Sequence, residues 1–148
     1  MIERRREGEA YFEVGQGVVL GLVETDAGEE LDIDHVTLRS ADPAGTAAEY
    51  ESFGFRAAPA GPSGRPRVEV GGAWLELQLG APSAPQRPLL NHLAVLVDSA
   101  DEHLAAAHDH GVEVDNVADA PNTLAVFVRG PEGVRIEYVE HKPTFSLI

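Results

Sequence analysis

Residues 127–140, FVRGPEGVRIEYVE, form the most informative motif of this 148-residue chain and lie near its end. Two apolar, β-branched runs flank Gly-Pro-Glu-Gly at 130–133, a pattern typical of a β-hairpin. In the second run Ile136 and Tyr138 alternate with Glu137, so the carboxylate faces away from the core. The hairpin is therefore predicted to carry one acidic side chain on the open face of a sheet.

The same pattern occurs earlier in the chain, which indicates an internal repeat. Residues 67–79, RVEVGGAWLELQL, carry Glu76 between two leucines, and Asp-His-Val at 34–36 matches Asn-His-Leu at 91–93. A helix start signal follows each histidine segment. Strand, helix and hairpin are thus predicted twice, at a spacing of about 57 residues.

A third apolar hairpin, YFEVGQGVVLGLVE at 11–24, precedes the repeat and turns at Gly15-Gln16-Gly17. It has Gly21 near the position where the other copies have glutamate, which fits a close backbone approach. Two strands are marginal alone in water, so we expect this hairpin to dock on an exposed sheet edge. The predicted organisation is an N-terminal hairpin and linker at 1–30, a first module at 31–80, a linker at 81–88 and a second module at 89–148.

Composition excludes several classes of function. With 25 acidic and 11 basic residues the formal charge is −14, which leaves no basic stripe for nucleic acid. The absence of cysteine excludes thiol catalysis and thiolate metal sites. The chain has no long apolar run for a membrane span and no pattern of a signal peptide, so a cytoplasmic protein is expected.

Each module offers one imidazole from its first strand and one carboxylate from its last strand. His35 and His92 are equivalent in the first strands, and Glu76 and Glu137 in the last strands. Singly, such residues usually have a structural role, but their repeated order indicates a metal site. If the modules pack by a pseudo-twofold, two nitrogens and two oxygens suit a six-coordinate divalent ion with two open positions. Nickel, cobalt, zinc, iron and manganese are all compatible.

With these motifs the sequence resembles the vicinal oxygen chelate superfamily, which includes glyoxalase I, bleomycin-resistance proteins, methylmalonyl-CoA epimerase and extradiol dioxygenases. The resemblance implies an α+β fold in which two βαβββ modules form a cup-shaped mixed sheet around a divalent metal. By analogy it also implies a homodimer. The implied metal ligands are His35, Glu76, His92 and Glu137. The resemblance is carried by DHVTLRSADP at 34–43, WLELQL at 74–79, NHLAVLVDS at 91–99 and FVRGPEGVRIEYVE at 127–140.

The implied function is a glyoxalase-like, metal-dependent isomerase or lyase. It would act on a small substrate with vicinal oxygens through an enolate-like intermediate, with Glu137 or Glu76 as general base. For the two aromatic rings of the predicted substrate pocket, Trp74 and Phe127, core packing is the favoured interpretation and a place in the pocket the other. The pocket residues are Trp74, Gln78, Phe127 and Arg135.

Two other functions stay open. A ring-cleaving dioxygenase ranks lower, because that class uses two histidines and one carboxylate on iron. A bleomycin-resistance-like protein would bind a drug or metabolite without catalysis. The loop PAGPSGRP at 59–66 shows no glutathione-binding pattern, so the resemblance does not imply a particular substrate. The remaining histidines are expected on the surface: His103, His108, His110 and His141.

Overall fold

The computed structural model describes residues 2–3, 7–16, 18–26, 28, 32–61, 63–81 and 89–146, with the backbone alone at 2–3. By contacts the chain divides into two compact units, Met1–Ile33 with Ala84–Asn91 and Asp34–Ser83 with His92–Ile148. The elements in chain order are β1 Ile2–Glu3, β2 Glu9–Gly15, β3 Val18–Val23, β4 His35–Ser40, α1 Pro43–Glu51, β5 Arg56–Ala58, β6 Arg67–Val70, β7 Ala73–Leu79, β8 Leu93–Leu96, α2 Ala100–Asp109, β9 Val114–Asp119, β10 Thr123–Arg129 and β11 Arg135–His141.

The first unit is a three-stranded antiparallel sheet with the order β1-β2-β3. The predicted hairpin is confirmed, and its turn residue Gln16 has a φ of 53°. Gly17 of the predicted turn and residues 82–88 of the predicted linker lie outside the described residues. A Cβ at position 21 would lie 2.7 Å from the Tyr11 ring, which confirms that Gly21 permits a close approach. The Gln16 side-chain carbonyl accepts from the Leu89 N–H at 2.8 Å, within the same unit.

The first module is a four-stranded mixed sheet with the order β4-β7-β6-β5, in which β4 and β7 are parallel. Helix α1 begins where the sequence predicts it. The Asp42 carboxylate accepts from the Gly45 N–H at 3.1 Å, and Pro43 occupies the first turn. Beyond the helix the chain reverses at Gly54, whose φ is 87°.

The second module repeats this topology with the order β8-β11-β10-β9, and β8 is parallel to β11. Ser99 caps α2 by accepting from the Glu102 N–H at 3.2 Å. The turn between β10 and β11 is a short 3-10 segment, Pro131–Gly133. The predicted α+β fold of two βαβββ modules with an N-terminal hairpin is therefore confirmed.

Both modules contribute to a single hydrophobic core between the sheets and the helices. The modules are also joined by hydrogen bonds, because the Tyr138 hydroxyl donates to the Phe53 carbonyl at 2.7 Å and the Thr46 hydroxyl donates to Glu132 at 3.3 Å. Neither described helix is long and apolar enough to cross a membrane. The core residues are Ala47, Tyr50, Phe55, Val68, Leu75 and Leu77 from the first module and Ala100, Ala107, Val126, Val128, Ile136 and Tyr138 from the second.

The expected surface position of His103 is wrong, because α2 turns this residue toward the sheet. Its ring lies 4.3 Å from that of Tyr138, and its Nδ1 donates to the Ser99 carbonyl at 2.9 Å. His103 is half-buried, whereas His108, His110 and His141 are exposed, as expected.

Candidate metal centre

The register of β4 on β7 puts His35 and Glu76 on one face of the first module. His35 lies opposite Trp74 and Thr37 lies opposite Glu76, so the glutamate is two positions further along the sheet. Since side chains alternate along a strand, this face is opposite to the one that packs Leu75 in the core. We call the face of each four-stranded sheet that carries its histidine and glutamate the ligand face.

The His35 ring is oriented by its sequence neighbour. Its Nδ1 donates to the Asp34 carboxylate at 2.6 Å, and the side chain is 45% exposed. A donor at Nδ1 leaves Nε2 as the nitrogen with a lone pair in the neutral ring. A carboxylate behind the ring is the usual orienting partner of a metal-bound histidine.

Glu76 is a buried carboxylate whose charge is partly neutralised by polar side chains of a neighbouring loop. Its side chain is 9% exposed, the Arg65 guanidinium lies 3.5 Å from Oε2, and the Ser63 hydroxyl donates to it at 3.4 Å. A Cβ at Gly61 would lie 2.7 Å from Oε1, so the loop backbone passes close over the carboxylate. These partners offset part of the cost of burying a charge.

The second module repeats the arrangement with its ligands in contact. His92 directly precedes β8, and its Nε2 lies 2.9 Å from Oε2 of Glu137. Phe127 is the cross-strand neighbour of Glu137, and its ring meets that of His92 edge to face at 5.7 Å. The Arg135 guanidinium lies 4.1 Å from the centre of the Phe127 ring and pairs with Asp115 at 2.7 Å.

No three His, Asp or Glu side chains within the described ranges lie close enough to hold one ion. The four predicted ligands therefore form two His–Glu sets, one in each module, and not one cluster within a single chain. Each set nevertheless fits a divalent ion by donor type, since imidazole and carboxylate are both common ligands of such ions. Their convergence on one ion stays a prediction.

The other predicted pocket residues also occupy the ligand faces. Trp74 and Gln78 alternate with the core leucines of β7, and the Arg67 guanidinium lies 4.0 Å from the centre of the Trp74 ring. Neither Trp74 nor Phe127 belongs to the core, so core packing of these two rings does not occur.

Several polar neighbours of the candidate ligands are not among the residues predicted from the sequence. Asp34 directly precedes His35 in the quoted motif, so its contact with the ring could have been predicted. A hairpin that turns at Gly71-Gly72 also pairs Arg67 with Glu76 across the two strands, which could likewise have been predicted. The contacts of Ser63 and Arg65 with Glu76 depend on the path of a loop, which no local pattern specifies.

Comparisons with known proteins agree with this architecture. Residues 32–138 match the family described as the Glyoxalase/Bleomycin resistance protein/Dioxygenase superfamily. A search of curated proteins gave no match.

Three similar solved structures share the fold. A protein from Bacillus anthracis, described as of the glyoxalase family, is 25% identical with a TM-score of 0.60, covering 78% of this chain and 98% of its own. Lactoylglutathione lyase from Agrobacterium tumefaciens is 20% identical with a TM-score of 0.57, covering 74% and 92%. TioX from Micromonospora sp. ML1 is 23% identical with a TM-score of 0.59, covering 75% and 99%.

Proposed function

The chain belongs to the glyoxalase/bleomycin resistance protein/dioxygenase superfamily, and within it we propose a metal-dependent isomerase or lyase of the glyoxalase-like type. The observation that carries this proposal is the repeated His–Glu set. In both modules the glutamate pairs with the residue two positions after the histidine on the parallel neighbouring strand. Both sets lie on the sheet face that does not pack in the core. A protein that only sequesters an apolar ligand has no need of two such sets.

His35, Glu76, His92 and Glu137 would hold the divalent ion, with nickel, cobalt, zinc, iron and manganese as candidates. When bound, such an ion supplies Lewis-acid stabilisation of negative charge that develops on two adjacent substrate oxygens. The orienting Asp34 contact favours His35 as a ligand, because it fixes which ring nitrogen carries the proton.

We infer that the two sets of one site come from two copies of the chain. Two observations support this: no three ligands converge among the described residues of one chain, and both ligand faces lie outside the core that joins the modules. A twofold dimer that apposes the first-module face of one copy to the second-module face of the other would complete two identical sites.

Glu137 is the proposed general base. Its Oε2 would accept a proton from the carbon next to a substrate carbonyl and return it to the neighbouring carbon, which is an isomerisation. Glu76 is less suited to this role, because its carboxylate is held by Arg65 and Ser63 and would have to leave them. The apolar ring of Phe127 beside Glu137 helps to keep water from the transferred proton.

Metal analysis of the purified full chain tests the proposal. We expect about one transition-metal ion per chain, and we expect His92→Ala and Glu137→Ala to lose it while the circular-dichroism spectrum is retained. Glu69→Gln is the matched control, since it removes a carboxylate from the same kind of face outside the ligand positions. Unchanged metal content in both ligand variants would contradict the proposal. A wild-type protein that contains no metal but carries a bound aromatic compound would instead indicate a binding protein.

A further inference from the structure

The two ligand faces are equivalent in register but differ in chemical character at the glutamate and in the part of the strands beyond it. In the first module the glutamate has Thr37 on one neighbouring strand and Arg67 on the other. In the second module the equivalent neighbours are Ala94 and Phe127. Around the glutamate, polar and cationic groups of the first module therefore correspond to apolar groups of the second. Two positions before the glutamate the first module has Trp74 and the second has Arg135, which is paired with Asp115.

The contrast around the glutamate repeats two positions beyond it along the strands. There the first module has Arg39 opposite Gln78, and the second module has Leu96 opposite Val139. Leu96 is 63% exposed, although it lies in a strand whose other face packs on the core. An apolar surface of this kind gains free energy when a ligand covers it.

Positive charge is concentrated on the ligand faces of a chain whose net charge is −14. Two of the carboxylates there are already paired, Glu69 with Arg56 and Asp115 with Arg129 and Arg135. The arginines that the structure describes all lie on a ligand face or in the loop over Glu76: Arg39, Arg56, Arg65, Arg67, Arg129 and Arg135.

Arg39 is the arginine best placed for a ligand. It forms no ion pair with the described residues and is exposed. A Cβ at Gly80 would lie 3.3 Å from its side chain, so the arginine stem packs over a position without a side chain. The guanidinium is therefore carried by a supported stem, and a guanidinium binds two oxygens of a carboxylate or a phosphate through two donors.

From these observations we propose that the substrate is an amphipathic anion, with a carboxylate or phosphate group at Arg39 and Gln78 and an apolar part on Leu96, Val139 and Phe127. This inference rests on the proposed function, because it assumes that the two faces meet at one site. The ion and the reacting oxygens would then lie between the charged and apolar ends.

Calorimetric titration with simple amphiphiles tests this proposal on the full chain, both metal-loaded and metal-stripped. Hexanoate and hexyl phosphate are the anionic probes, hexylammonium is the cationic control, and acetate and inorganic phosphate lack the chain. We expect the six-carbon anions to bind at least about tenfold more tightly than acetate or phosphate, because their methylene groups are buried. Whichever six-carbon anion binds more tightly identifies the headgroup.

Variants locate the two ends of the ligand. We expect Arg39→Gln to weaken the anionic probes at least about tenfold, since a charge-assisted pair is lost. Leu96→Ser should reduce the advantage of hexanoate over acetate and leave acetate unchanged. Arg56→Gln makes the same change in net charge on the distant edge strand β5, and binding should stay within about twofold of wild type.

Three results would overturn the proposal: hexylammonium binding as tightly as hexanoate, equal losses in Arg39→Gln and Arg56→Gln, or no anion binding at millimolar concentration. The metal content of the same samples separates this inference from the proposed function. Full metal content without anion binding removes only the inference. Anion binding that depends on Arg39, in a protein that takes up no metal, removes only the metal-dependent function.

Discussion

At the scale of single residues, two buried tyrosine hydroxyls have opposite surroundings. The Tyr138 hydroxyl donates to the Phe53 carbonyl, whereas the buried Tyr50 hydroxyl has no hydrogen-bond partner in the described part of the chain. A hydrogen bond contributes about 1 kcal/mol to stability, and a buried hydroxyl without a partner costs about 1–3 kcal/mol. The same side chain therefore has different effects at the two positions.

Removing each hydroxyl should change the free energy of unfolding in opposite directions. We expect Tyr138→Phe to lower it by about 1 kcal/mol and Tyr50→Phe to raise it by about 1 kcal/mol. Urea denaturation followed by circular dichroism measures both changes, and each variant serves as the control for the other. Equal losses in the two variants would show that the Tyr50 hydroxyl has a partner.

Both tyrosines should also make stability fall at alkaline pH. Burial raises the pKa of Tyr138 to about 12, and burial together with the Glu132 and Glu49 charges raises the pKa of Tyr50 well above its ordinary value. Their stabilisation is complete below pH of about 10, the ordinary tyrosine pKa, and is lost as the unfolded chain ionises above it. The loss is at most about 1.4 kcal/mol per pH unit for each group.

Urea denaturation between pH 9 and pH 12 measures this loss. Tyr50→Phe should flatten the decline, and the chain suits the experiment because its only lysine is Lys142. A decline of the same slope in Tyr50→Phe and wild type would contradict the expectation for Tyr50.

At the scale of elements, the turns and faces could be predicted from the sequence because their causes are local. Glycines mark both module hairpins, and alternation with buried leucines assigns Glu76 to the open face. Strand β8 begins at Leu93, so His92, which the sequence places in the first strand of its module, lies just before it. Strand β1 was missed, because two residues carry no periodicity and pair only through the folded sheet.

The loop over Glu76 should compete with the ion for this carboxylate. We expect Arg65→Gln to tighten metal binding by about threefold, because one half-exposed charged partner of Glu76 is removed. A metal titration measures the change, with Arg56→Gln as the control for net charge. Weaker binding in Arg65→Gln would mean that the arginine orients the carboxylate for the ion.

The N-terminal hairpin should protect the chain from association or maintain a dimer. Its edge strand β3 has four large apolar residues that are each about half exposed, and they lie on both faces of the strand. Deletion of residues 1–26 should lower solubility or break a dimer while the metal stays bound, as measured by light scattering and metal analysis. A truncated protein that stays a soluble oligomer but loses its metal would assign the hairpin to the active site. The exposed side chains are Val19, Leu20, Leu22 and Val23.

At the scale of the whole molecule, the sequence predicts the candidate ligands but not how they are arranged relative to one another. Repeat matching identifies equivalent residues in the two modules without fixing how the modules pack. The packing depends on tertiary contacts such as that of Tyr138 with Phe53, which have no local signature. The His–Glu set of each module therefore could be predicted, whereas the position of one set relative to the other could not.

Co-expression of two defective chains tests whether a site is shared between copies. Glu76→Gln and Glu137→Gln chains should each bind no metal alone. Mixed dimers contain one intact site and one doubly altered site, so about a quarter of wild-type metal content should return if assembly is random. No recovery in dimers that contain both chains would mean that each chain builds its site by itself.

The contact between Gln16 and Leu89 has a consequence for the order of events during synthesis. The two residues are 73 positions apart in the chain. At a synthesis rate of about 5–20 residues per second, Leu89 is therefore added about 4–15 s after Gln16. The whole first module leaves the ribosome in that interval. The hairpin therefore leaves the ribosome first but makes this contact only after the first module has emerged, and until then its apolar strands depend on their own pairing.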